Sequence, residues 1–215
     1  MALMKPAVIP EFFARLKKAI PEPETELEYE NVYHLLVAVV LSAQATDVGV
    51  NRATGPLFKL VKTPADMLAL GETKLIDHIK TIGLFRAKAK NVMGLSRLLI
   101  ERHGGEVPHT HEELQALPGV GRKTANVVMN VAFGEATIAV DTHIFRVANR
   151  TGLAPGRTPF EVEMKLEELV PAKYKPHAHH WLILHGRYIC VARRPFCEKC
   201  LIADLCKWPG KTAQA

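Results

Sequence analysis

Cysteine is scarce in this chain and confined to one end: four residues in 215, at Cys190, Cys197, Cys200 and Cys206. None remains for a disulfide framework elsewhere, and a lone Cys-x-x-Cys redox motif would want a β-α-β setting that the chain does not offer. Long apolar runs are missing too. The longest, Val32–Leu41, falls well short of the roughly 20 residues of a membrane span and contains His34, so it reads as a buried helix. At the N-terminus Pro6 and Pro10 break the short stretch Ala7-Val8-Ile9 and charges follow at once, which excludes a signal peptide. These absences predict a cytoplasmic protein with no membrane partner. Two phosphate-binding loops are absent as well. A Walker A loop fails because Arg122 follows Gly121 and Ala116 stands where the first Gly should be; a dinucleotide fingerprint fails because Thr124 stands where its third Gly should be.

What is present is helical. Apolar residues make up 48% and charged residues 23%, ordinary for a globular protein able to bury a core without staples. Lys and Arg number 28 against 22 acidic residues, giving +6, a balance compatible with a polyanionic partner. Residues 10–20 form a helix with Pro10 at its start and Phe12, Phe13, Leu16 and Ile20 on one face. A proline-punctuated acidic connector over 21–28 marks a candidate domain boundary. Helical spacing then predicts six helices in a row, over 30–44, 46–61, 73–80, 85–103, 110–117 and 122–133, separated by stops such as Thr63-Pro64, Gly71 and Gly83. The strand-like piece 136–140 reads as a buried crossing segment. Helices over about 141–151, 158–169 and 173–188 lead into the cysteines, so the class is all-α.

The stretch Leu117-Pro118-Gly119-Val120-Gly121-Arg122-Lys123-Thr124-Ala125-Asn126 reads as a glycine hairpin opening a helix. Thr110 and Glu113 form a capping-box pair for the helix before it. A helix start exposes N–H groups and the positive end of its dipole, and Arg122 and Lys123 sit in its first turn, so an anion is the natural ligand. Helix, hairpin, helix resembles the helix-hairpin-helix module that grips a DNA backbone.

The cysteine spacing, C-x6-C-x2-C-x5-C, reads as one metal site, since four soft ligands in so short a loop suit either zinc or an iron–sulfur cluster. Zinc sites usually pair Cys-x2–4-Cys twice, and Cys197/Cys200 is the single such pair here, which leans towards iron. Arg193, Arg194, Lys199 and Lys207 between and after the ligands would stand at fixed positions, suited to phosphates, unless they are the solvated face of a metal-stapled cap. The histidines His177, His179, His180 and His185 lack the spacing of a second metal site and read as stacked or solvent-facing imidazoles at a helix end.

With these residues, Leu41-Ser42-Ala43-Gln44-Ala45-Thr46-Asp47, Thr81-Ile82-Gly83-Leu84 and Val140-Asp141-Thr142-His143 complete a pattern that resembles the endonuclease III family of DNA glycosylases and abasic-site lyases, over nearly the whole chain. The resemblance implies a [4Fe–4S] cluster on the four cysteines and a two-domain helix-hairpin-helix glycosylase fold. Residues 25–135 would form a six-helix barrel, and 1–24 with 136–215 a helical cluster domain, the DNA site lying in the cleft between them. It further implies that Lys123 is the nucleophile and Asp141 the electrostatic partner of the sugar cation. Gln44 and Leu84 would fill the gap left by the flipped nucleotide, while Gly119, Val120, Gly121, Arg122, Lys123, Thr124, His143, Arg146, Arg193 and Arg194 would contact DNA. An ordinary lysine near pKa ~10.4 must come down to ~7–8 to act as a neutral amine, a shift worth roughly 4 kcal/mol. The helix end and Arg122 push in that direction. Read blandly, Lys123 is a phosphate contact, Asp141 a helix cap, Gln44 a helix end and Leu84 core. The implied partner is double-stranded DNA carrying oxidised pyrimidines or abasic sites, met by a monomer in the cytoplasm at the nucleoid. Two rivals are a non-catalytic helix-hairpin-helix protein with a structural metal, and the related adenine-mismatch glycosylase, against which Lys123 argues because that enzyme uses no lysine nucleophile.

Overall fold

A computed structural model describes residues 2–211. Among them are eleven α-helices and no strand: α1 Ile9–Ala19, α2 Val32–Leu41, α3 Asp47–Leu60, α4 Pro64–Leu70, α5 Glu72–Ile79, α6 Phe85–His103, α7 His111–Gln115, α8 Arg122–Phe133, α9 Thr142–Thr151, α10 Pro159–Leu169 and α11 Lys175–Tyr188. The all-α expectation holds. By contacts the chain divides into two compact units, Thr25–Gly134 and Met1–Glu24 with Glu135–Ala215.

The continuous unit is built around α2, every residue of which from Tyr33 to Leu41 is buried. A helix apolar on all sides has no solvent face and takes the centre of a domain. Asn31 caps it, its side chain accepting the His34 N–H at 2.8 Å, so the helix starts at Val32, two residues later than its periodicity suggests. Helix α8 lies beside it, with Ala125 to Asn130 buried. The unit holds seven helices, not six consecutive ones. Thr63-Pro64, expected as a stop, opens α4 instead: Thr63 and Asp66 form a reciprocal capping box, and Pro64 takes a first-turn position where its missing N–H costs nothing. At α7 the Thr110–Glu113 pair is present in altered form. Thr110 accepts the Glu113 N–H at 3.2 Å but donates its hydroxyl to the Glu113 carboxylate at 2.6 Å.

The discontinuous unit is tied together by its ends. Phe12, Phe13 and Leu16 of α1 enter the same core as Val162, Leu166, Tyr174 and Trp181. Trp181 Nε1 donates to the Ile20 carbonyl at 2.7 Å, and Arg15 reaches Asp204 at 2.7 Å and the Leu201 carbonyl at 3.0 Å. Residues 136–140 form no strand, and Ile138, Ala139 and Val140 are buried, which matches the crossing segment. The expectation for the histidines holds for His177, which is exposed with its ring 5.6 Å from that of Trp181, and needs correction for the other three. His179, His180 and His185 are buried, because α11 packs against both α1 and α9 and has little solvent face left. Burial holds His180 and His185 neutral, their pKa values lowered to about 4.

Candidate functional site

In the continuous unit the hairpin is seated on α6. Leu117 and Val120 are buried, and the Val120 N–H closes the turn onto the Leu117 carbonyl at 3.1 Å. Val120 therefore faces inward, while Gly119, Gly121, Arg122 and Lys123 are exposed and Thr124 half-buried. Gly119 has φ +79°, and a Cβ there would stand 2.9 Å from the Cβ and Nδ2 of Asn91. One turn along α6, Gly94 makes room for Pro118, at 3.1 Å from its own ideal Cβ. The two glycines thus let backbone meet helix on both sides of the contact. Helix α8 then begins at Arg122 with Gly121 as N-cap and no capping side chain, so Arg122 and Lys123 lie in the first turn at the positive end of its dipole.

Two neighbouring turns carry the expected intercalating residues. Gln44, after α2, has φ +54° and is exposed; Leu84, at the N-cap of α6, has φ +58° and is 60% exposed. An ideal Cβ on Gly83 would lie 3.8 Å from the Gln44 carbonyl, so the turns adjoin. Leu84 is not core. Among the described residues, the non-glycine residues with positive φ are Gln44, Leu84 and Arg194, all three expected DNA contacts. Each such conformation costs an L-residue roughly 1–2 kcal/mol, a strain that gathers at functional turns.

In the other unit Asp141 caps α9, its Oδ1 accepting the N–H groups of His143 and Ile144, both at 2.8 Å. The bland reading of Asp141 as a cap is thus met, and the cap uses Oδ1 alone. His143 Nδ1 is 3.2 Å from Arg146, whose guanidinium also donates to the carbonyls of Cys190 at 2.8 Å and Gly186 at 2.7 Å. Arg146 is half-buried and committed to these carbonyls, whereas Arg193 and Arg194 are exposed on the cysteine loop. Gly186 brings α11 against the start of α9; a Cβ there would sit 2.8 Å from the His143 Cβ.

The four cysteines line one pocket, shared with Arg150, His185 and Trp208. Among the described residues no three His, Cys, Asp or Glu side chains close to the spacing of a single bound ion. Nitrogen atoms surround the sulfurs instead: Arg150 Nη1 lies 3.7 Å from Cys190, His185 Nε2 3.7 Å from Cys200, and the Trp208 N–H 3.5 Å from Cys206. Burial pushes the Cys200 thiol up to about 11 and raises that of Cys206, so thiolates in this pocket call for a bound cation. Sequence reasoning missed two positioning residues, Asn91 under the hairpin and Arg150. Arg150 holds the loop by donating to the carbonyls of Val191 at 2.7 Å and Ala192 at 2.8 Å while its guanidinium covers the Trp208 ring at 4.4 Å. The i,i+4 pair Arg146 and Arg150 on α9 was the available signal, but nothing local says what either grips.

Residues 37–172 match the family described as HhH-GPD superfamily base excision DNA repair protein. The chain is 56% identical over 201 residues to the endonuclease III of Escherichia coli (strain K12), covering 94% of this chain and 95% of that one. It is 57% identical over 201 residues to the endonuclease III of Haemophilus influenzae, covering 94% and 95%. Among solved structures, a trapped endonuclease III–DNA covalent intermediate matches with a TM-score of 0.90 at 43% identity, covering 95% of this chain and 97% of that one.

Proposed function

The chain belongs to the endonuclease III family of HhH-GPD base excision DNA repair proteins, and on that premise we propose that it excises oxidised pyrimidines from double-stranded DNA through Lys123. It is a DNA-binding base-excision glycosylase and lyase. The reading of its chemistry rests chiefly on one observation: an exposed lysine in the first turn of an uncapped helix, behind a glycine hairpin held in place by α6. A solved relative trapped in covalent linkage to DNA supports an enzyme nucleophile.

In this reading the Lys123 amine, as its neutral form, attacks C1′ as the N-glycosidic bond breaks and the altered base leaves with the bonding pair. Loss of a proton and ring opening give a Schiff base to C1′, which acidifies the 2′ proton; its removal expels the 3′ phosphate by β-elimination. Asp141 steadies the cationic sugar with a carboxylate that α9 orients through the Oδ1 cap. Gln44 and Leu84 take the space of the flipped nucleotide, whose extrusion costs a few kcal/mol. The backbone of Gly119, Val120 and Gly121, with Arg122, Thr124, His143, Arg193 and Arg194, holds the strands by phosphate contacts that position without reading sequence, while Arg146, committed to the carbonyls of Cys190 and Gly186, steadies His143 and is no phosphate contact itself. The protein works as a monomer at the nucleoid in the cytoplasm; no helix among the described residues is long and apolar enough to cross a membrane.

Cys190, Cys197, Cys200 and Cys206 would hold a [4Fe–4S] cluster. The fit is chemical: four sulfurs spread over the walls of one pocket, with N–H donors towards them, suit a cuboidal group better than one tetrahedral ion that all four must meet at ~2.3 Å. Bound, the cluster supplies four strong bonds that fix the loop carrying Arg193 and Arg194. Purified protein should be coloured and carry about four irons; colourless protein with stoichiometric zinc would overturn this assignment.

Borohydride reduction tests the nucleophile. Wild type mixed with abasic or oxidised-pyrimidine duplex should give a covalent adduct, and Lys123→Ala should give none. An undiminished adduct in the variant would remove Lys123 from the chemistry.

A further inference from the structure

Helix α6 carries a buried cation that the proposed chemistry leaves unused. Lys88, in its first turn, is 4% exposed, and its Nζ has no hydrogen-bond partner among the described residues. Its backbone N–H bonds to the Leu84 carbonyl at 3.0 Å, which places it directly behind the intercalating turn. Three residues on, Asn91 underlies Gly119, and three further on Gly94 underlies Pro118. Residues at i and i+3 are neighbours on a helix surface, so Lys88 shares the flank of α6 on which the hairpin sits. The same helix opens without a capping side chain, Leu84 being its N-cap, so its positive dipole end adds to the same corner.

A buried ammonium with no acceptor destabilises the fold that contains it, and a methionine of similar length would not. Burial lowers the Lys88 pKa, with no opposite charge to offset it. A folded protein that keeps such a group without a partner is incomplete at that point. The neighbouring surface is formed by two turns already assigned to DNA.

We propose that Lys88 is a buried counter-charge for the DNA backbone, its ammonium gaining a partner when a phosphate docks over the hairpin and the Leu84 turn. It is a positioning residue: it acts on the lie of the strand, not on the reacting sugar. Through weakly screening protein its charge attracts phosphate more strongly than an exposed lysine would. The inference rests on the reading that DNA lies across these turns.

The test compares wild type, Lys88→Met and Lys88→Arg as full-length, cluster-loaded protein. Binding to a duplex with a tetrahydrofuran abasic analogue is measured by fluorescence anisotropy from about 50 to 200 mM salt, alongside thermal unfolding. Expected for Lys88→Met are an unchanged or raised Tm, about tenfold weaker binding, and a salt slope shallower by up to ~0.9, one counterion. Lys88→Arg should restore slope and affinity. An unchanged slope in Lys88→Met overturns the proposal, as does failure of that variant to fold, because the amine would then be structural. Borohydride trapping on the same wild-type preparation keeps the two readings apart. Its absence would sink the lysine chemistry whatever Lys88 does, and its presence with an unchanged Lys88→Met slope sinks the counter-charge alone.

Discussion

Replacing Gly119 with alanine asks whether the hairpin owes its shape to its seat on α6 as well as to its own turn. Two costs are expected. At φ +79° an L-residue is disfavoured by roughly 1–2 kcal/mol. The new methyl would also stand 2.9 Å from the Asn91 Cβ, an atom bonded directly to the α6 backbone and unable to swing aside. Overpacking of that kind costs typically about 1–3 kcal/mol. The sum, roughly 2–5 kcal/mol, is a large share of the ~5–15 kcal/mol that holds a domain together. Gly121→Ala is the control: its φ is −91° and a Cβ there meets nothing within 4 Å, so it should cost no more than the ~1 kcal/mol by which alanine is a poorer N-cap than glycine. Asn91→Gly supplies the second arm of a double-mutant cycle. Alone it costs roughly 0.3–0.5 kcal/mol, the difference between asparagine and glycine inside a helix; combined with Gly119→Ala it removes the collision and recovers about 1–3 kcal/mol. Urea unfolding followed by far-ultraviolet circular dichroism is the assay, because both tryptophans, Trp181 and Trp208, lie in the other unit. Additive costs, with no coupling between positions 91 and 119, would refute the claim that α6 shapes the hairpin.

Asp141→Asn should keep the α9 cap, since asparagine accepts the same N–H bonds, and should unfold within ~0.5 kcal/mol of wild type while losing base excision. Asp141→Ala should lose about 1 kcal/mol as well; full excision by the asparagine variant would confine Asp141 to capping. Leu84→Gly releases an L-residue from φ +58° at an exposed position, so stability should rise by up to ~1 kcal/mol while excision from duplex DNA falls. Undiminished duplex excision would show that Leu84 is no wedge.

Much of the helical order was legible because it is local. The apolar run of α2, the proline at the start of α1 and the glycines of the hairpin act over a few residues, and a 3.6-residue period needs no distant partner. Thr63-Pro64 misled for the same reason. A proline that ends one helix and a proline that begins the next look alike until Asp66 is seen returning its carboxylate to the Thr63 N–H. The family pattern named the candidate residues, but it does not distinguish an Arg146 committed to the carbonyls of Cys190 and Gly186 from an exposed Arg193.

The chain's order of residues was enough to set the all-helical class, the hairpin and the grouping of four thiols, because each is written within a short span and follows from backbone preference or ligand count. Tertiary structure alone decided that Gly119 is indispensable to its contact while Gly121 is not, that Leu84 projects from its turn, that three histidines are sealed inside α11, and that Lys88 lies buried without a partner. Each of those outcomes depends on which side chain arrives from another element: Asn91 is 28 positions before Gly119, and Arg150 grips a loop 41 positions beyond it. Such meetings are set by how helices close-pack around a shared core, and no local period encodes them.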